Sequence, residues 1–251
     1  MNKMNDDLIK LLQSHRSIRK YQAREIDPDL LESILIAGQS ASTSSHIQAV
    51  SMIRVDEPSL RSEFIEISGG QPYIGSCSEF LVFCADFHRN QERIKRIENR
   101  DVDYSTMEQF ISATVDVALF AQNVVVAAES VGLGCCYIGG IRNDPNKVTE
   151  LLRLPDLVYP VFGLCIGYPD QDPECKPRLP LQVQLHDNAY RLDEDMHGII
   201  DDYDEFVRSY YVRRTGGKLK TSWSEQMSKQ ESSQKREFMK RYIEKQGFSS
   251  T

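Results

Sequence analysis

The segment MEQFISATVDVALFAQNVVVAAESV, residues 107–131, decides how this chain folds, because it is long and almost wholly apolar. It also contains Asp116, Asn123 and Glu129, and polar groups of this kind favour a buried helix over a membrane span. The pattern therefore predicts a central helix that is buried on several sides and stops at Gly132.

The segments around this helix predict a sheet with helices packed on it. Asp27 is the expected N-cap of one helix, with Pro28 at its first position and Gly38 near its end. Further helices are predicted over residues 4–14, 59–67, 146–152, 199–213 and 223–246, and strands over 49–55, 80–86, 135–140 and 159–169. The polar region 88–108 is expected to be a mobile excursion. This order favours an α+β or α/β fold with helices on a mixed central sheet.

Composition excludes some classes of partner. The chain has 251 residues, 40% of them hydrophobic and 27% charged, which is ordinary for a globular protein. Its formal net charge of −7 disfavours non-specific binding to nucleic acid or to an anionic membrane. The first residues, MNKMNDDLIK, lack the continuous apolar core of a secretion signal.

The cysteines have no spacing that is typical of a metal site or a disulfide framework. They are Cys77, Cys84, Cys135, Cys136, Cys165 and Cys175. On a strand, the adjacent pair 135–136 would face opposite sides of the sheet and could not easily form a bond. We expect a reduced, cytoplasmic protein without structural disulfides or a metal ion.

The octet SHRSIRKY, residues 14–21, concentrates cations and hydroxyls near the start of an acidic chain. Arg16 and Arg19 are three residues apart, so a helix or tight turn would place them on one face, with the Ser17 hydroxyl between them. Such donors suit a phosphate group. The alternative is a solvated helix end whose cations pair with local acids, and the octet alone leaves both interpretations open.

Four other segments have a functional and an ordinary interpretation. Lys176 and Arg178 in CKPRLP lie on a proline-stiffened stretch, which is either a second phosphate contact or a surface turn. The hydroxyls of SASTSSHIQ, residues 40–48, either line a polar ligand or cap backbone groups. GLGCCYIGG, residues 132–140, lacks the Rossmann and P-loop patterns, and its glycines allow close backbone approach or a simple turn. RRTGGK, residues 213–218, is either an anion clamp or an exposed loop.

In their order along the chain, these motifs resemble the FMN-dependent nitroreductase superfamily. The matching segments are HRSIRKY, ASTSSHIQ, GGQPYI, AAESVGLGCCYIGGIRN, LPDLVYPVFGLCIGYP, KPRLP and RRTGGK followed by WSEQ. They are similar to the NADPH-dependent subfamily of oxygen-insensitive nitroreductases and flavin reductases. The resemblance implies an α+β homodimer with two FMN sites at the subunit interface. It also implies an FMN-binding core over residues 1–182 and, over 183–251, a helical C-terminal extension that wraps the dimer and contributes to the NADPH site.

The resemblance also assigns roles to individual residues. The FMN contacts it implies are His15, Arg16, Ser17, Arg19, Ser42, Thr43, Ser44, Gln71, Tyr137, Ile138, Gly139, Gly140, Lys176 and Arg178. Of these, the first four would hold the phosphate and ribityl side, Gln71 the polar edge of the flavin ring, and residues 137–140 the backbone near N5. Residues 42–44 would reach the flavin across the dimer.

Arg142, Arg214 and Lys218 would hold NADPH, and His46 would lie beside the substrate cleft. Lys218 stands near a position where the family usually has an arginine, and lysine lacks the bidentate fork of arginine.

The implied activity is a ping-pong oxidoreduction. NADPH, or NADH, would pass a hydride to FMN, and a nitroaromatic, a quinone or a flavin would then take two electrons from it. Two alternatives remain: a flavin reductase that supplies free reduced flavin to another enzyme, and a non-catalytic FMN-binding redox sensor that uses Cys135 and Cys136. No catalytic side chain is predicted, because the cofactor carries out the redox chemistry.

Overall fold

The computed structural model describes residues 3–191, 195–233 and 236–248. The elements, in chain order, are α1 (Lys3–Gln13), α2 (Pro28–Gln39), β1 (Val50–Arg54), α3 (Pro58–Ile67), α4 (Tyr73–Ser76), β2 (Glu79–Asp86), α5 (His88–Glu98), α6 (Met107–Ser130), β3 (Gly134–Ile138), α7 (Pro145–Leu152), β4 (Val158–Gly167), α8 (Asp195–Arg214), α9 (Trp223–Ser233) and α10 (Met239–Lys245). They form two compact units: Met1–Pro173 with Glu237–Thr251, and Glu174–Arg236.

The central sheet of the first unit has the strand order β1-β2-β4-β3. All three pairings among the described strands are antiparallel. The expectation that the sheet is mixed is therefore corrected. The α+β class is confirmed. For β1–β2 and β3–β4, which are consecutive strands, the connection brings the chain back to the end of the sheet at which it left, as antiparallel pairing requires. The β2–β4 register shifts between Phe83 and Cys84, which marks a local irregularity.

The sheet separates two apolar cores. On one face, residues such as Phe83 and Cys135 are buried together with α2 and α6. On the other face, Cys136 is buried with Phe64 of α3 and Val148 of α7. The prediction that Cys135 and Cys136 alternate across the sheet is confirmed, and this geometry opposes a disulfide between them.

Helix α6 is the predicted central helix, but it is buried along only part of its surface. It begins at a capping box in which Thr106 and Gln109 satisfy each other's backbone N–H groups. Val117 and Val124 are fully buried against the sheet, whereas the apolar side chains on another face are exposed. Of the described helices, α6 alone is long and apolar enough to cross a membrane, and it packs here as a core helix. Its second apolar face was not expected from the sequence.

The polar region after β2 is a helix, so the expected excursion over residues 88–108 is corrected. Helix α5 covers His88–Glu98 and ends at Asn99, which has a left-handed conformation. The chain returns to the core because the rings of Phe87 and Tyr104 stack with centroids 4.7 Å apart. Because this contact joins a residue before α5 to a residue after it, the strongly charged helix has a defined place on the core.

The C-terminal segment is divided between the units, so the single predicted helix over 223–246 is corrected. Helix α9 ends at Ser233, and α10 belongs to the first unit. There the Tyr242 hydroxyl lies 2.7 Å from Thr149 Oγ1, and Gln246 Nε2 donates to the carbonyl of Val158 over 2.8 Å. The apolar side chains at the end of the chain therefore complete the core of the first unit.

Within the second unit, an ion pair joins α8 to the start of α9. Arg208 donates to Glu225 Oε1 over 2.8 Å, and the backbone N–H of Ser222 donates to Oε2 over 3.1 Å. These hydrogen bonds, that from Arg208 first, lower the pKa of Glu225 to about 2. Trp223, the only tryptophan of the chain, lies next to this pair, and its ring centroid is 6.3 Å from that of Tyr203.

We predict that acid loosens this junction. Because the pKa of Glu225 in the folded chain is depressed, the stabilisation from the ion pair is present above the unfolded value and is lost as pH falls towards the folded value. The emission of Trp223 should therefore change between about pH 4.5 and pH 2. In Glu225→Gln the changed emission should already be present at pH 7. Identical emission of this variant and the unaltered protein at pH 7 would contradict the prediction, and Glu244→Gln, on α10, serves as the control.

Candidate functional site

The cationic octet is extended rather than helical. The backbone N–H of Ile18 donates to the carbonyl of Cys135 on β3 over 2.9 Å, which holds the segment along the edge of the sheet. Arg16 and Arg19 consequently do not share a helical face, and that expectation is corrected. Arg16 lines one cavity, whereas Arg19 lies near Tyr73 in different surroundings.

Arg16 has one nitrogen available for an anion. It lines a cavity of about 220 Å³ together with Ser14, Glu129 and Gly134. Its Nη2 lies 2.5 Å from Asp172 Oδ1, and its Nη1 donates to the carbonyl of Ser14 over 3.1 Å. Its Nε is buried and has no hydrogen-bond partner among the described residues. A buried guanidinium donor without a partner fits a phosphate oxygen.

His15 is oriented by a carboxylate. Its Nδ1 lies 2.7 Å from Glu129 Oε1, and both side chains are largely buried. Glu129 is near the end of α6 and also lines the cavity of Arg16. The predicted phosphate-side residues His15 and Arg16 are therefore close to the same acidic residue.

Ser17, Arg19 and Gln71 lie in the surroundings of Tyr73, which sequence reasoning missed. The Tyr73 hydroxyl donates to Gln71 Oε1, and Tyr73 lies close enough to Arg19 for each group to influence the pKa of the other. Burial raises the pKa of Cys136, against the opposing effects of Arg19, Tyr73 and Ser17. The available signal was the position of the tyrosine two residues after the glutamine in GGQPYI.

Gly140 is a glycine because the chain segment of Gln71 comes very close to it. A Cβ on Gly140 would lie 2.8 Å from both Gln71 Nε2 and the carbonyl oxygen of Ser68. The hydroxyl of Ser68 is also buried without a partner among the described residues. Of the two interpretations of the glycine pair, close backbone approach is therefore correct at Gly140.

The end of β3 leads into a second cavity. Ile138 is fully buried, whereas Tyr137 and Gly139 line a space of about 370 Å³ together with Arg142. Arg142 donates to the carbonyl of Val161, which fixes its guanidinium beside this space. The structure thus brings a predicted NADPH residue next to predicted flavin residues.

The hydroxyl-rich segment lies in a third environment. Ser44 N–H donates to Asp116 Oδ1 of α6 over 2.9 Å, and burial raises the pKa of Asp116 against the opposing effect of such N–H bonds. His46 has a positive φ of 58°, an uncommon conformation for a residue that is not glycine. Ser42 is exposed, and Thr43 lines a separate cavity of about 410 Å³. Within one chain, these residues do not line the cavity of Arg16.

The remaining predicted residues belong to the second unit. Lys176 Nζ lies 5.5 Å from the ring centroid of Tyr211, and Arg214 donates to the Tyr210 hydroxyl over 2.7 Å. Burial raises the pKa of Tyr203 on α8, and the positive charge of Arg178 opposes this effect. Lys218 follows two glycines with positive φ. Helix α8 therefore organises both the residues predicted for FMN in this unit and those predicted for NADPH.

Sequence and structure comparisons identify the family. The sequence model described as the Nitroreductase family matches residues 12–168, and that of the Nitroreductase family, C-terminal domain, matches residues 176–251. The chain belongs to the nitroreductase family. This confirms the resemblance that the sequence motifs indicated.

Similar proteins cover nearly the whole chain. The FMN reductase (NADPH) of Bacillus subtilis is 38% identical over 97% of this chain and 98% of its own length. The oxygen-insensitive NADPH nitroreductase of Salmonella typhimurium is 40% identical over 96% and 97%. The solved structure of the NfrA1 nitroreductase from B. subtilis is 38% identical, covers 97% of this chain and 100% of its own, and has a TM-score of 0.94. The nitroreductase fold is therefore confirmed.

We predict that Gly140→Ala disturbs this nitroreductase site from within. The added Cβ would meet backbone and amide atoms at 2.8 Å, and overpacking of this kind costs about 1–3 kcal/mol of unfolding free energy. Urea denaturation of the purified variant measures this loss. Gly139→Ala is the matched variant, because its Cβ would come no closer to Arg142 than 3.4 Å, which is an ordinary van der Waals contact. Equal unfolding free energies for the two variants would contradict the close-approach interpretation.

Proposed function

We propose that this nitroreductase is an FMN-dependent oxidoreductase that uses NADPH and reduces nitroaromatics, quinones or flavins by two-electron transfer. The main support, beside the family, is that the buried Arg16 Nε, in a cavity near the start of the chain, has no hydrogen-bond partner among the residues that the structure describes. When bound, FMN would supply the two-electron redox chemistry that links the reduced nicotinamide to the acceptor.

The donors of the first unit fit a non-covalently bound FMN. Arg16 and Arg19 supply guanidinium N–H groups for a phosphate, and Ser17 supplies a hydroxyl. Gln71 retains one amide hydrogen, because a side-chain amide has two and only one is given to the Ser68 carbonyl. We assign this hydrogen to the polar edge of the flavin ring, and the backbone of residues 137–140 to the region around N5.

On the family pattern, we assign the donor NADPH to Arg142, Arg214 and Lys218. Arg142 is held beside the cavity of Tyr137, and Arg214 is held at the end of α8 by Tyr210. Lys218 lies after the flexible glycine pair and would add a point charge for phosphate. We assign Lys176 and Arg178 to FMN on the family pattern.

The identity of the acceptor has two candidates, because similar proteins are named for both. One is an FMN reductase (NADPH) and another an oxygen-insensitive NADPH nitroreductase. Steady-state rates with free FMN, a quinone and a nitroaromatic, measured on one preparation, show whether the protein is mainly a flavin reductase or mainly a reductase of quinones and nitroaromatics. A redox-sensor role through Cys135 and Cys136 is not favoured, since the two thiols lie on opposite faces of the sheet.

The phosphate assignment predicts a colourless double variant. Arg16→Ala with Arg19→Ala removes both guanidinium groups, so purified protein should lose most of its bound FMN, with a Kd at least about a hundredfold higher. Flavin absorbance per chain and fluorescence titration measure this change. Arg96→Ala with Arg100→Ala removes two exposed cations elsewhere and should retain FMN. Full FMN occupancy in the first double variant would rule out the assignment.

We also propose that the protein is cytoplasmic, as the sequence led us to expect, and that it is a homodimer. The second apolar face of α6 supports the homodimer. Ile111, Val115 and Leu119 are spaced by four residues and are 50%, 50% and 44% exposed. Asp116, beside Val115 in the sequence, holds Ser44 of the hydroxyl-rich segment. If a second copy covered this face, the hydroxyl-rich segment of one chain would approach the cofactor site of the other. Within one chain, this segment does not line the cavity of Arg16.

The dimer proposal predicts that a charge on this face produces monomers. Val115→Arg buries an unpaired cation in the interface, so light scattering after gel filtration should give half the mass of the unaltered protein. Ile97→Arg is the control, because Ile97 lies on α5 and is 63% exposed. An unchanged dimer mass for Val115→Arg would exclude this face as the interface.

A further inference from the structure

The cavity that Thr43 lines has two arginines of α5 on its wall. It has a volume of about 410 Å³. Among the residues that the structure describes, Arg89 and Arg93 are the only charged side chains that line it. We propose that this cavity binds a small organic anion that has an apolar body and an O–H or N–H donor. Such a site is separate from the function proposed above, since α5 contains none of the residues assigned to FMN or NADPH.

The charge for the anion comes from Arg93. Arg89 and Arg93 are four residues apart on α5 and therefore lie on one face of it. The guanidinium of Arg89 is used within the protein: its Nη2 donates to the carbonyls of Gln48 and Val50 over 2.8 and 3.1 Å, and its Nη1 lies 3.6 Å from Asp86 Oδ2. The side chain of Arg93 has no ion pair or hydrogen bond with any residue that the structure describes. Its charge is available to a carboxylate.

The need for a hydrogen-bond donor comes from Asn90, which lines the same cavity. Its Nδ2 donates to the carbonyl of Ile47 over 3.2 Å, and this bond identifies the other end of the amide as the oxygen. That Oδ1 is buried and has no hydrogen-bond partner in the part of the chain that the structure describes. Buried acceptors in folded proteins have partners with few exceptions, so an O–H or N–H of a bound molecule would complete this one.

The rest of the wall suits an apolar body. Phe120 of α6, Ile47 and Val50 contribute apolar surface, and the volume is in the range of small-molecule sites. The wall is also held in place. Gln48 has a positive φ of 55°, which is uncommon for a residue other than glycine, and Arg89 binds its carbonyl. A hydroxylated aromatic carboxylate combines the charge, the donor and the apolar ring that these residues require.

The test is a calorimetric titration of the full-length protein, with FMN added, using three probes. The first, 4-hydroxybenzoate, has the carboxylate, the ring and the O–H group, whereas benzoate lacks the O–H and phenol lacks the carboxylate. Arg93→Gln removes the charge. Arg96→Gln is the matched control, because Arg96 is an exposed arginine of the same helix that does not line the cavity. Asn90→Leu removes the acceptor at similar side-chain size.

We expect 4-hydroxybenzoate to bind the unaltered protein, with a Kd that rises about tenfold in Arg93→Gln and is unchanged in Arg96→Gln. Benzoate and phenol should each bind the unaltered protein about tenfold more weakly than 4-hydroxybenzoate. In Asn90→Leu, the advantage of 4-hydroxybenzoate over benzoate should disappear, because Oδ1 is the expected partner of the O–H group.

Absence of 4-hydroxybenzoate binding in the unaltered protein overturns the inference, and so does an equal Kd in Arg93→Gln. A changed visible spectrum of the flavin together with that equal Kd would place the probe at the flavin instead. If Asn90→Leu does not fold, the two probes still decide the role of Asn90 in the unaltered protein, where equal Kd values for 4-hydroxybenzoate and benzoate contradict it. A failure of the protein to bind FMN refutes only the proposed function.

Discussion

The site depends on one backbone hydrogen bond, from the N–H of Ile18 to the carbonyl of Cys135. It ties the cationic segment to β3, the outer strand of the sheet, and makes that segment extended. Neighbouring side chains of an extended segment point in different directions, so Arg16 enters one cavity while Arg19 lies near Tyr73. A single short motif thereby supplies donors to two places instead of one cluster.

The protein has an acidic net charge, and the cations that we assign to its ligands are oriented in three different ways. Arg16 is paired with Asp172, Arg142 donates to a backbone carbonyl, and Arg19 lies near the phenol of Tyr73. These partners differ in how much positive charge they leave for a ligand. A carboxylate competes directly with a phosphate, whereas a carbonyl or a phenol orients the guanidinium and leaves its charge in place.

Helix α6 connects the core to the proposed interface. One of its faces is buried with the sheet, and Asp116 holds the backbone of Ser44. The opposite face has the exposed stripe that includes Val115. The same helix thus sets the position of the hydroxyl-rich segment and of the surface where we propose that a second copy binds. Because the hydroxyl-rich segment is held at α6, it does not line the Arg16 cavity of its own chain.

The sequence by itself determined the elements with strong local signals and the family. Asp27 and Pro28 mark the start of α2, the apolar run marks α6, and the ordered motifs indicate a nitroreductase. Only the tertiary structure decided the extended course of the octet, the return of α10 to the first unit and the position of Tyr73 near Arg19 and Gln71. The reason is physical: caps and periodicity depend on neighbours in sequence, whereas these three features depend on contacts such as Ile18 with Cys135 and Tyr242 with Thr149, which join residues far apart in the chain.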